Sequence, residues 1–116
     1  MHELSIVMGI VDLATNQALL NGANSIEEIE LEIGCLSGVE MDSFEFAWKQ
    51  GIRNSMLENS IRHIHRPEGK ALCGDCNTVF HMQQLFDACP NCNGHLLSII
   101  RGKELKVKSL VLPEST

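Results

Sequence analysis

Two Cys-x-x-Cys pairs constrain this chain more than anything else in it. Cys73-Gly74-Asp75-Cys76 and Cys89-Pro90-Asn91-Cys92 stand with twelve residues between them. Two residues between cysteines let both sulfurs of a tight turn reach one ion, and a second such turn completes a tetrahedron. Gly74, Pro90 and Gly94 are residues that such turns favour. The stretch from Asn77 to Ala88 is too short to build a core of its own, so an ion must supply much of its folding energy. The spacing therefore predicts a structural Zn(II) held by Cys73, Cys76, Cys89 and Cys92. An all-thiolate tetrahedron leaves no open position for catalysis. A redox dithiol would need only one pair. A rubredoxin-like iron cage uses similar turns but usually more aromatics than Phe80 and Phe86. Cys35 is then an odd thiol, for which a buried, inert position is expected.

A chain of 116 residues allows one ordinary domain, or a small domain plus a metal-held module, but not two full cores. Its formal charge is −6 and is unevenly spread. Residues 1–68 carry four basic and eleven acidic side chains, net −7, while residues 69–116 are net +1. Neither half has the basic excess that phosphate backbones attract. Aromatics are 4% with no Tyr, which removes base-stacking platforms as well. Nucleic acid is not an expected partner. No apolar run approaches the ~20 residues that cross a bilayer, so no membrane partner is expected. The opening MHELSIVMGI lacks a basic segment and a small-residue cleavage site. The expected compartment is the cytoplasm, where thiols stay reduced.

Apolar residues at helical spacing (Leu4, Val7, Met8, Val11, Ala14, Ala18), widened by Ile6, Ile10, Leu13 and Leu20, predict a core helix that stops near Asn21-Gly22. Glu28 to Ile33 alternates strictly, which predicts a strand with one buried face and a row of solvated carboxylates. Asp42 and Glu45 resemble a capping box for a second helix, with Phe44, Ala47 and Trp48 turned inward as far as Gly51. Residues 60–66 and 104–112 read as two more strands, ended by Pro67 and Pro113. The expected fold is α+β: a small three-stranded antiparallel sheet with two helices, plus an inserted zinc-ribbon-like four-cysteine module. The last strand rejoins the first domain, giving 1–68 with 103–116 as one domain and 69–102 as the module.

The first three residues, Met1-His2-Glu3, offer a second kind of metal chemistry. A free terminal amine, the backbone nitrogen of residue 2 and Nδ1 of His2 can close successive five- and six-membered chelate rings. A planar nitrogen set favours Ni(II) or Cu(II) over zinc. Glu3 could add its amide or carboxylate, and Glu40 could approach as a further acid from the neighbouring turn. His63, His65, His81 and His95 are expected as surface or interface residues rather than ligands.

Taken together, MHELS, LEIGCLSGVE, the helix at Phe44, the paired CxxC motifs and GKELKVKSL resemble the HypA/HybF family of nickel metallochaperones for hydrogenase maturation. The resemblance covers nearly the whole chain in the same order. It implies a nickel-binding α+β domain with an inserted zinc module, Ni(II) as transient cargo at Met1, His2 and Glu3, and Zn(II) at Cys73, Cys76, Cys89 and Cys92. It also implies the GTPase HypB and the large subunit of a [NiFe]-hydrogenase as partners, and in some organisms urease maturation. A monomer and a homodimer are both compatible with it.

Departures from that family pattern are local. Some members have His beside the zinc cysteines where this chain has Asn77 and Asn93, so a histidine-driven, pH-dependent zinc site is not expected. Where one type places Asp near nickel, this chain has Glu40. The competing reading is a zinc-ribbon interaction module without nickel transfer. A zinc-dependent enzyme is weaker still, because the ligand set is closed and no acid–base or nucleophile pair stands out.

Overall fold

The computed structural model describes residues 2–114. In chain order its elements are α1 (Glu3–Leu20), β1 (Glu28–Ile33), α2 (Met41–Gly51), β2 (Ile61–His65), β3 (Lys70–Cys73), β4 (Val79–His81), β5 (Leu97–Arg101) and β6 (Leu105–Val111). The expected α+β architecture is present: two helices, a three-stranded sheet of order β2-β1-β6, and a four-cysteine module. The chain divides into two compact units. One comprises Met1–Leu31, Val39–Ile64 and Lys106–Thr116; the other comprises Glu32–Gly38 and His65–Leu105.

In the helical unit, α1 buries Val7, Ile10, Val11, Ala14 and Ala18. The apolar face read from the sequence is wider than the buried one, for Leu4, Met8, Leu13 and Leu20 are exposed. The buried row faces α2, which contributes Phe44, Ala47 and Trp48 to the same core. Although α1 has a mean hydropathy of 1.2 over its 18 residues, its inner row is therefore that of a core helix. Gly51 permits the close approach: a Cβ there would stand 2.5 Å from Val7 Cγ1. Beneath the helices Ile29 and Leu31 are fully buried, while Glu28 and Glu30 alternate outward.

The sheet mixes directions. Glu27 N donates to Val111 O and Gly34 N to Glu104 O, so β6 runs antiparallel to β1. Ile61 N donates to Glu27 O and Cys35 N to Pro67 O, so β2 runs in the same direction as β1. The expectation of a wholly antiparallel sheet is corrected for this one pair. The reason is α2, which carries the chain back over the sheet and makes β1-α2-β2 a crossover unit.

The cap of α2 also differs from the expected Asp42–Glu45 box. The helix begins at Met41, and the Glu40 carboxylate accepts from Asp42 N at 3.2 Å and Ser43 N at 2.6 Å. Glu45 instead takes the Arg62 guanidinium at 2.7 Å. That guanidinium lies 5.0 Å from the centroid of Trp48. A planar cation serves both contacts at once, whereas an ammonium serves one. Arg62→Lys is expected to cost about 1 kcal/mol of stability, read as a lowered denaturation midpoint at unchanged slope.

In the second unit, β3 is central, with β4 and β5 antiparallel on either side. Its core is small: Leu36, Ala71, Cys73, Phe80, Met82 and Cys89. Gly34 and Gly102 meet so closely that a Cβ on Gly34 would lie 2.0 Å from Gly102 O, and Gly102 has φ +117°. Both positions exclude a side chain.

Candidate metal centres

The four paired cysteines converge. Their sulfurs all lie within 4.8 Å of one another, with Cys73–Cys92 at 3.5 Å and Cys76–Cys89 at 3.6 Å. Four sulfurs at ~2.3 Å from a zinc ion form a tetrahedron with edges of about 3.8 Å, so the cluster has the right size.

The two turns that present them are built alike. Cys73 N donates to Thr78 O at 2.9 Å and Asn77 N donates to Cys73 O at 2.9 Å; Cys89 N donates to Gly94 O at 2.9 Å and Asn93 N donates to Cys89 O at 2.8 Å. Each turn closes through an Asn in the left-handed region, Asn77 at φ 62° and Asn93 at φ 63°. Asn tolerates that conformation better than most residues with a side chain. The repeated Cys-x-x-Cys-Asn was therefore a readable signal that spacing arguments pass over.

The electrostatics call for a cation. Thr78 Oγ1 stands 3.2 Å from Cys76 Sγ and Asn91 Nδ2 donates to it at 3.5 Å. The Thr78 hydroxyl first, then the Asn91 amide, bring the Cys76 thiol down to about 6. At Cys92 the Gly94 N–H favours the thiolate, but the sulfurs of Cys73, Cys76 and Cys89 push it up to about 12. Four thiolates this close repel one another unless a positive ion sits among them. The donor set and spacing fit Zn(II).

Cys35 is exposed, contrary to the buried position expected of it. Past Gly34 the chain turns so that Leu36, 2% exposed, takes the core position. Cys35 is left facing outward, with its N–H on Pro67 O.

The second candidate centre lies in the helical unit. Met1, expected to supply its amine, lies outside the described residues. His2 occupies the N-cap position of α1 with φ −90° and ψ 88°, and its side chain makes no capping hydrogen bond. Glu3 opens the helix, and its Oε2 accepts from Glu40 N at 3.2 Å. The beginning of α1 is thus tied to the beginning of α2. His2, Glu3, Ser5, Ser43 and Phe46 line a shallow cavity of about 460 Å³.

Glu40 is committed elsewhere than the sequence suggested, since its carboxylate caps α2. Hydrogen bonds from Ser43, side chain first and backbone second, hold its carboxyl below the ordinary 4.5. A carboxylate with a depressed folded-state pKa adds stability that is complete above its unfolded value and fades as pH falls through the folded one. Protection of the α2 amides against hydrogen exchange is expected to weaken below about pH 4.5. In Glu40→Gln that pH dependence should flatten.

The remaining histidines lie on the surface. His63 pairs with Glu28 at 2.7 Å, His81 stands 3.8 Å from Glu68, and His95 is exposed.

A four-sulfur cluster in one unit, and in the other a start of α1 tied to the start of α2, define a small α+β protein with the side chains to hold a metal ion. Comparison with known proteins makes this specific. The chain belongs to the HypA family, whose model, described as "Hydrogenase/urease nickel incorporation, metallochaperone, hypA", matches residues 1–112. It is 50% identical over 112 residues to the hydrogenase maturation factor HypA of Parabacteroides distasonis, covering 97% of both chains. It is 37% identical over 110 residues to that of Azotobacter vinelandii, covering 95% of this chain and 97% of the relative. The solution structure of the Ni metallochaperone HypA from Helicobacter pylori superposes with a TM-score of 0.67 at 27% identity, with 97% of each chain covered.

Proposed function

We propose that this chain carries Ni(II) on Met1-His2-Glu3 and delivers it to the large subunit of a [NiFe]-hydrogenase, while Cys73, Cys76, Cys89 and Cys92 hold a structural Zn(II). Family membership over residues 1–112 is the observation that carries this reading. The state of His2 supports it: the imidazole caps nothing and is available to a ligand. Nickel takes the terminal amine, the deprotonated amide of residue 2 and Nδ1 of His2, in a planar nitrogen set.

Glu3 contributes by position. Its carboxylate is held by Glu40 N, which fixes the chain just behind His2 against α2. It also places a negative charge where the positive ends of two helices meet, offsetting their repulsion of a divalent cation. Binding releases protons from the amine, the amide and the imidazole, so affinity falls as pH falls and the cargo leaves without large tertiary rearrangement. Copper would outrank nickel at these nitrogens, so selectivity rests on metal supply and on docking. The GTPase HypB is the proposed partner in loading or release, and urease maturation a further destination. The protein acts as a carrier rather than a catalyst, in the cytoplasm, where its thiols remain reduced.

Isothermal titration of Ni(II) into tag-free, zinc-loaded protein tests this against a zinc-ribbon interaction module. One ion per chain with a planar, diamagnetic spectrum supports the carrier. Unchanged nickel affinity in His2→Ala overturns it and leaves the zinc module standing.

A further inference from the structure

In the cysteine-bearing unit a second group of metal-binding side chains surrounds a cavity of about 480 Å³, lined by Cys35, Glu68, Gly69, His81, Met82 and Gln83. Three hydrogen-bonded segments bring them together. Cys35 N donates to Pro67 O, Met82 N donates to Gly69 O, and His81 stands opposite Lys70 in the β3–β4 pairing. Residues 67–70 thus form the middle segment, with Cys35 on one side and His81 on the other.

The thiol is exposed and donates to the Arg66 carbonyl at a long 3.8 Å. His81 Nδ1 already lies 3.8 Å from Glu68 Oε2. The side chains of His81 and Glu68 are 71% and 76% exposed, so both can turn at little steric cost. Gly69 keeps the floor of the cavity tight, for a Cβ there would collide with Met82 O at 2.1 Å.

We propose that Cys35, His81 and Glu68 form a second, exchangeable site for a borderline divalent cation, separate from both the four-cysteine centre and the amino-terminal tripeptide. Thiolate with imidazole selects Ni(II), Co(II) or Zn(II) over magnesium or calcium. Three protein ligands leave at least one position open to water or to a group on a recipient protein. Among the described residues only the four paired cysteines hold three or more ligand atoms within 4.8 Å of one another. The second site is therefore closed by rotation of His81 and Glu68 onto the ion, and binds more weakly and more reversibly than the first.

The experiment uses zinc-loaded, reduced protein carrying His2→Ala, so its outcome is independent of the amino-terminal nickel reading. Ni(II) is added, and sulfur-to-nickel charge-transfer absorption is followed alongside the rate of Cys35 alkylation. One additional nickel per chain is expected, with the thiolate band and alkylation slowed on the order of tenfold. Cys35→Ser should abolish the band with zinc content unchanged. His81→Ala should weaken binding by at least the ~10–100-fold that loss of a ligand's supporting contact costs. The proposal is overturned if no additional nickel binds, if Cys35 is alkylated equally fast with nickel, or if the band survives Cys35→Ser. Survival would place the ion at the four-cysteine centre instead.

Discussion

Removing zinc with a strong chelator is expected to unfold the cysteine-bearing unit and to leave α1 and α2 protected. The physical reason is the size of what would remain. Two of the six residues in that unit's buried core, Cys73 and Cys89, are themselves sulfur donors, and the other four are Leu36, Ala71, Phe80 and Met82. Strands of four, three and five residues cannot stand without a shared core. Four apolar side chains at ~1.5–3 kcal/mol each give roughly 6–12 kcal/mol, far short of the ~1–2 kcal/mol per residue that ordering the unit's backbone costs. A structural zinc site adds on the order of 10 kcal/mol of apparent folding free energy near neutral pH. The helical unit has its own core in Phe44, Ile29, Leu31, Leu57 and Val7. Hydrogen exchange resolves the two units. Amides of β3, β4 and β5 should lose protection when zinc is withdrawn, and those of α1 and α2 should keep theirs. Cys73→Ser with Cys76→Ser should reproduce the effect without a chelator. Protected β3 amides in zinc-free protein would show that the side chains alone hold the unit together. Because thiolates must form before zinc binds, a fixed chelator should strip the ion more readily as pH falls.

How much of this was legible beforehand depends on how each element is specified. α1 and β1 are set by periodicity, and Val7, Val11, Ala14, Ile29 and Leu31 are buried as their spacing dictates. The four sulfurs were legible because Cys-x-x-Cys permits few geometries. Three features were not. β3, β4 and β5 are too short for alternation to register, and their order depends on a shared centre rather than on local pattern. The α2 cap falls on Glu40, whose carboxylate accepts from the two N–H groups of Asp42 and Ser43, and Glu45 pairs with Arg62 instead. The direction of β2 is a property of the connection through α2, and its own residues cannot encode it. Cys35 faces outward because its neighbour Leu36 takes the core position, a competition between adjacent residues that composition does not decide.

Extending the chain by several residues ahead of Met1, enough to carry the imidazole beyond the third position from the free amine, should abolish this planar nickel binding, and His2→Ala should weaken it by well over 100-fold. Both follow from how the proposed ligands are joined. The amine, the amide of residue 2 and the imidazole are linked through one short stretch of backbone, so losing one breaks a chelate ring and weakens the others. A peptide bond at the terminal nitrogen removes its basicity and its proton-free lone pair together. The loss should therefore exceed the ~10–100-fold typical of groups that only orient a ligand. Glu3→Gln separates the two roles open to Glu3. A glutamine carbonyl still accepts from Glu40 N but no longer carries charge, so the geometry survives while the offset against the helix ends is lost. If Glu3 acts by position, the spectrum of bound nickel should be unchanged and affinity reduced only several-fold. If its carboxylate is a ligand, the spectrum itself should shift. Affinity should rise with pH in the parent and in Glu3→Gln alike, because nickel displaces protons from its nitrogen ligands on binding. Tight, planar nickel binding by the extended chain would place the ion somewhere other than the amino end.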